Sequence, residues 1–79
     1  MHALTLNGEP HEVARGATVV DLVAELTDRP LTSDGTPTDG GRLGVAVALD
    51  SVVVPRSRWG STTLHEGQHV EVITAMQGG

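Results

Sequence analysis

Cysteine, lysine, tyrosine and phenylalanine are absent from this 79-residue chain, and Trp59 is its single aromatic residue. Without cysteine there is no disulfide framework, no thiolate metal cluster and no cysteine nucleophile, so a reducing cytoplasm is the expected compartment. Without lysine the chain offers no ε-amine as an acceptor for conjugation to copies of itself. Its five basic residues, Arg15, Arg29, Arg42, Arg56 and Arg58, are dispersed and face ten acidic ones, for a net charge of −5. Binding to a phosphate backbone depends on clustered cations, so nucleic acid is excluded as a partner. An acidic surface suits docking onto a basic patch of another protein instead. No apolar stretch approaches the roughly 18 residues of a membrane span. The first residues have neither a basic start nor a long apolar run, so no signal peptide is expected. A chain this short buries only about 60% of the surface its unfolded form exposes. Its 38% hydrophobic residues must therefore serve one thin core, with little left to enclose a catalytic cavity.

What is present begins with alternation. His2, Leu4 and Leu6 share one face against Ala3 and Thr5, the period of a half-buried strand. Asn7-Gly8 follows, the strongest short-range hairpin signal, because both central residues of a type I′ turn need positive φ. Residues 9–14 form a weaker return strand, since Pro10 cannot donate to a ladder and belongs at an edge.

Thr18 and Asp21 make a near capping box, after which Val19, Leu22, Val23 and Leu26 form one apolar helical stripe to cover the sheet. Pro30 stops that helix. Residues 32–42 are almost all turn formers without periodicity and read as a mobile, solvated loop. Its glycines are no phosphate cradle, because no Gly-Lys-Ser/Thr follows them. Residues 43–49 are a short apolar run, read as a central strand buried on both faces. Val52-Val53-Val54 is a short strand ended by Pro55, at an edge that a partner's sheet could join. The next four residues, through Trp59, form a helical turn with Trp59 as a lid at the core's edge and Arg56 as a solvated or locally bonded charge. Glu66-Gly67 turns the chain into a last strand over residues 69–75. The order strand, strand, helix, strand, strand, strand outlines an α+β chain of the β-grasp kind, a mixed sheet of about five strands with one main helix on one face. Residues 1–75 are expected to form this domain, monomeric when free, and residues 76–79 a flexible C-terminal diglycine tail.

Few residues point to chemistry. His65 and His69 have a spacing that would suit a metal on a helix, but Gly67 between them argues for a turn, so no metal site is expected. His2 and His11 could face each other across the first hairpin, and read more simply as surface imidazoles. Glu66 and Glu71 read as solvated charges. No serine, histidine and aspartate set can be assembled, so the chain lacks the parts of a self-sufficient enzyme. The end of the sequence is different. Met76, Gln77, Gly78 and Gly79 directly follow a strand, and four extended residues reach roughly 13 Å, far enough to enter another protein's active site. Glycine has no Cβ and passes a narrow channel. The terminal carboxylate of Gly79 is ionised at neutral pH and is a poor electrophile until activated.

The segments Val45-Ala46-Val47-Ala48-Leu49-Asp50 and Val54-Pro55-Arg56-Ser57-Arg58-Trp59, the Gly67 turn and the terminal Gly78-Gly79 together resemble the sulfur-carrier family of thiamine biosynthesis, ubiquitin-like β-grasp proteins of bacteria. The Val-Pro-Arg-Ser-x-Trp stretch is the more specific element, because the diglycine also occurs in the small subunit of molybdopterin synthase. The 32–42 loop is longer than the family usually has. The resemblance implies a carrier rather than an enzyme, with no bound cofactor. Gly79 would be adenylated by an E1-like adenylyltransferase using Mg-ATP and converted to a thiocarboxylate with sulfur from a cysteine desulfurase. The sulfur would then pass to thiazole synthase. Gly78, Gln77 and Met76 would give access to the partner's active site. Two other readings remain open: a sulfur carrier for molybdopterin or another cofactor, and a non-covalent ubiquitin-like interaction module with an inert tail.

Overall fold

Five strands, one α-helix and a 3₁₀ turn make up residues 1–74, the part of the chain that this computed structural model describes. The strands are β1 (His2–Leu6), β2 (Glu9–Val13), β3 (Val45–Leu49), β4 (Val52–Val53) and β5 (His69–Thr74), with α1 at Val19–Thr27 and the 3₁₀ turn at Arg56–Ser61. The expected end of the last strand at Ala75, and the whole 76–79 tail, lie outside the described residues. The sheet order is β2-β1-β5-β3-β4. β1 and β5 run parallel at its centre and every other pair is antiparallel. Parallel neighbours need a long crossover, and the crossover here carries α1 across one face of the sheet. This is the mixed ubiquitin-like β-grasp sheet that the element order predicts.

The local signals explain most of it. Asn7 and Gly8 have φ of 49° and 83°, the pair of positive values that a type I′ turn requires. Pro10 lies on β2, at the sheet's outer edge. At the start of α1 the Asp21 N–H donates to the Thr18 hydroxyl (3.3 Å) and the Thr18 N–H donates to the Asp21 carboxylate (2.9 Å), closing the capping box. Val19, Leu22 and Val23 are fully buried, but Leu26 is 42% exposed. The core side of α1 thus ends before its last turn, where Asp28 takes up a left-handed conformation and turns the chain out of the helix.

Three expectations need correction. β3 begins at Val45, not residue 43, and it is buried on one face only: Val45 and Val47 lie in the core while Ala46 is exposed. A single helix covers a single face, so the alternate side chains of the strand stay outside. Trp59 is no lid. It is 1% exposed and sits in the core cluster with Leu22, Leu64 and Val47. The 32–42 loop is not a solvated linker. It folds back on itself through Thr32 N–H to Thr36 C=O (2.8 Å), Thr38 N–H to Pro30 C=O (3.0 Å) and an isolated bridge between Leu31 and Pro37. Gly35 and Pro37 are buried. At φ +80° Gly35 lies so close that an added Cβ would stand 2.5 Å from Arg56 Cγ and 2.8 Å from Trp59 Cε3. Arg29 closes the loop's far side, donating to the Asp39 carboxylate (3.1 Å) and to the Arg42 carbonyl. Turn formers of this kind have no periodicity to reveal a packed loop, since their contacts are made by backbone and by single side chains.

Candidate functional site

The functional candidates Met76, Gln77, Gly78 and Gly79 fall outside the described residues, so the site that the structure presents is the strand leading to them. β5 is held on both sides. Along β3 it pairs in register from Leu49 opposite Val70 to Val45 opposite Thr74. Along β1 the backbone ladder is shorter. Thr5 N–H donates to Gln68 C=O and Asn7 N–H donates to Val70 C=O, both at 2.9 Å, and then the chain leaves β5 through the Asn7-Gly8 turn.

The next rung of that ladder needs an acceptor for the Val72 N–H and a donor for the Val72 carbonyl. The Asn7 carboxamide supplies both. Its Oδ1 accepts from Val72 N–H at 2.9 Å and its Nδ2 donates to Val72 C=O at 3.2 Å. Sequence reasoning took Asn7 as a turn residue only. The signal that could have shown more is topological: in a parallel pair a carboxamide at the turn stands beside the strand that runs on. At the other end of β5 the carboxylate of Glu66 accepts from Ala3 N–H at 3.0 Å and lies 3.5 Å from His2 Nδ1. Glu66 is therefore bonded to the backbone of β1, not merely solvated.

The Val-Pro-Arg-Ser-x-Trp stretch works in the same way, on the far side of β3. Val54 N–H donates to Val47 C=O (2.8 Å), and Pro55 ends the strand. The Arg56 guanidinium takes over, donating through Nη2 to Val45 C=O (2.8 Å) and Leu43 C=O (2.7 Å) while lying 5.0 Å from the Trp59 ring centroid. Trp59 Nε1–H donates to Val54 C=O at 3.0 Å. Arg56 is thus a locally bonded charge, and this motif builds the core rather than a reactive centre.

The remaining candidates do not converge. His2 pairs in register with Val13, and His11 with Leu4, so the two imidazoles are not opposite each other. Each faces a glutamate instead, His11 Nε2 lying 3.5 Å from Glu25 Oε1. His65 and His69 use their backbone N–H groups to bond Gln68 Oε1 and Asp50 Oδ1. Among the described residues no three metal-ligating side chains gather, and no helix is long and apolar enough to cross a membrane. On the sheet face away from α1, Ile73 stands opposite Ala46, and Val53 opposite Ala48. Ile73 is 62% exposed and Val53 69%.

A parallel pair at the centre of a β-grasp sheet gives the fold and not the function, so the family comes from the sequence match. The ThiS family model matches residues 4–79. The chain belongs to the ThiS family. This bears out the resemblance to the sulfur carriers of thiamine biosynthesis. The crystal structure of the thiamine biosynthesis protein ThiS from Geobacter metallireducens is similar at a TM-score of 0.67 and 29% identity, covering 98% of this chain and 99% of that one. The solution structure of a thiamine biosynthesis protein from the same organism gives a TM-score of 0.68 at 29% identity, covering 98% and 87%. No curated protein matches. Membership of this family implies partner enzymes in thiamine biosynthesis.

Proposed function

We propose that this chain carries sulfur for thiazole formation in thiamine biosynthesis, with the C-terminal carboxylate of Gly79 as the group that is modified. The observation that carries the reading is the span of the family match, which runs through Gly78 and Gly79 to the last residue. In the first step a carboxylate oxygen attacks the α-phosphorus of Mg-ATP on an E1-like adenylyltransferase, forming the acyl adenylate and releasing pyrophosphate. This provides the leaving group that a carboxylate lacks. A sulfur nucleophile then attacks the acyl carbon and expels AMP, leaving a thiocarboxylate. Sulfur delivered as a persulfide, through a cysteine desulfurase, also requires a thiol to reduce the resulting acyl disulfide. The thiocarboxylate is ionised at neutral pH, and its soft sulfur suits transfer to the substrate of thiazole synthase. A reducing cytoplasm suits the whole cycle.

Met76, Gln77 and Gly78 serve as the approach to each partner's active site, with Gly78 keeping that approach narrow. Ordering each of these residues costs about 1–2 kcal/mol of backbone entropy, which favours the transient binding that a carrier needs. Intact-protein mass spectrometry after incubation with the adenylyltransferase, Mg-ATP and a sulfur source tests the reading. The expected result is replacement of one oxygen by sulfur at Gly79. Deleting Gly79 should abolish pyrophosphate exchange while circular dichroism and melting stay unchanged. Pull-down by thiazole synthase, and not by the molybdopterin synthase large subunit, separates the pathways. A chain that remains unmodified beside an active control carrier would return it to a non-covalent interaction module.

A further inference from the structure

We infer that Asn7 is a positioning residue for the C-terminal carboxylate, acting through Val72. The inference rests on the reading of Gly79 as the reacting end. Among the described residues β5 is the element that leads toward Gly79, and in this reading the direction of its last residues sets where the approach to a partner begins. On the β3 side that direction is fixed by main-chain pairing as far as Thr74. On the β1 side the main chain turns away at Asn7-Gly8, and the two bonds from the Asn7 carboxamide carry the pairing onward to Val72. In the continuing parallel register Val72 N–H would meet the Asn7 carbonyl and Val72 C=O would meet the N–H of Glu9. One side chain substitutes for both backbone groups.

The residue type is specific. A carboxamide alone among short side chains offers an acceptor and a donor side by side, matching the N–H and C=O of one strand residue. Aspartate keeps the acceptor and sets a second oxygen against a carbonyl. Glycine tolerates φ of 49° as well as asparagine does, and has no side chain to offer. Asn7 thus serves the turn by its backbone and β5 by its side chain, and substitution separates the two roles. With the start of the approach fixed at β5, the terminal carboxylate reacts as a near-intramolecular group once the domain has docked. A misplacement on the order of 1 Å can cost up to about 100-fold in rate, without weakening the docking itself.

The test uses the full chain, an E1-like adenylyltransferase and Mg-ATP, following pyrophosphate exchange against chain concentration for the wild type, Asn7→Gly and Asn7→Asp. Amide hydrogen exchange is read on the same samples. In Asn7→Gly the Val72 amide should lose protection while the Val54 amide, bonded to Val47, keeps it. The kcat should fall about tenfold with KM within about twofold, the signature of lost alignment rather than lost docking. Asn7→Asp should keep partial protection of Val72 and show a smaller fall, and it carries the test if Asn7→Gly melts near the assay temperature. Unchanged kcat in a variant whose Val72 amide has become labile would overturn the inference. So would a rise in KM alone, which would make Asn7 a docking contact, or a fall in rate that only tracks the unfolded fraction. A wild-type chain that supports no exchange would refute the reading of Gly79, and not the clamp seen at Val72.

Discussion

Arg56 completes the β3 ladder from a half-buried position packed against the core residue Trp59, and Asn7 completes the β5 ladder from an exposed hairpin turn. Both replace backbone groups that the chain has carried away, Arg56 after Pro55 and Asn7 before Gly8. Their surroundings differ. Around Arg56 the buried Trp59, the Gly35 backbone and the carbonyls of Leu43 and Val45 fix one arrangement several times over. The Asn7 side chain is held by two hydrogen bonds exposed to solvent, beside the backbone bond from Asn7 N–H to Val70 C=O. The motif that most specifically marks the family therefore maintains the fold, while β5, paired with β3 as far as Thr74, takes its last rung on the β1 side from a single carboxamide. Stability and positioning are assigned to opposite sides of β3 and β5.

The contrast breaks first at Trp59. Trp59→Ala removes the largest buried side chain and the donor to Val54 C=O, and it should cost about 3–5 kcal/mol, read by urea unfolding. In a chain of this size that approaches the whole margin of stability. Gly35→Ala should cost about 2 kcal/mol, because the residue has φ +80° and the new methyl would meet Arg56 and Trp59. A loop that was merely a solvated linker would lose far less. Arg56→Ala strands the Leu43 and Val45 carbonyls and should also cost about 2 kcal/mol. The Asn7→Gly change, which removes an equal number of hydrogen bonds in the open, should cost under about 1 kcal/mol by the same unfolding measurement. Equal losses from Arg56 and Asn7 would erase the distinction drawn between them.

The distinction was only half legible in the sequence. Alternation in β1, the Asn7-Gly8 turn, the Thr18 capping box and the order of elements all express backbone preferences over a few residues, and the β-grasp fold followed from them. The family was legible from the Val-Pro-Arg-Ser-x-Trp stretch together with Gly78-Gly79, while the end itself lies outside the described residues. What the sequence hid depends on distant partners. Nothing near Gly35 in the chain shows that it lies against Arg56 and Trp59, and nothing near Asn7 shows that Val72 runs beside it. Leu26 and the outer face of β3 misled for the opposite reason: an apolar pattern marks a face, while the reach of the covering element decides how much of it is buried.

The smallest expected effect concerns the loop itself and is set by pH. Hydrogen bonds from the Thr32 and Thr36 hydroxyls hold the Asp34 carboxyl below the usual carboxylate range. The Gly41 N–H, followed by Arg29, does the same for Asp39. Each group has a folded pKa below its unfolded value near 3.8, so its contribution is fully present above that value and is lost as pH falls through the lowered folded value. Both carboxylates are exposed and screened by solvent, so melting of the whole domain should shift little between pH 5 and 3 on their account. The change should show locally. The Thr36 and Gly41 amides, which bond the Thr32 hydroxyl and the Asp39 carboxylate, should lose protection relative to their intrinsic exchange rates only below pH 3.8, while the Val54 amide stays protected. Uniform loss of protection would mean that acid unfolds the domain as one unit, and that the loop is as much a part of the core as Trp59 beneath it.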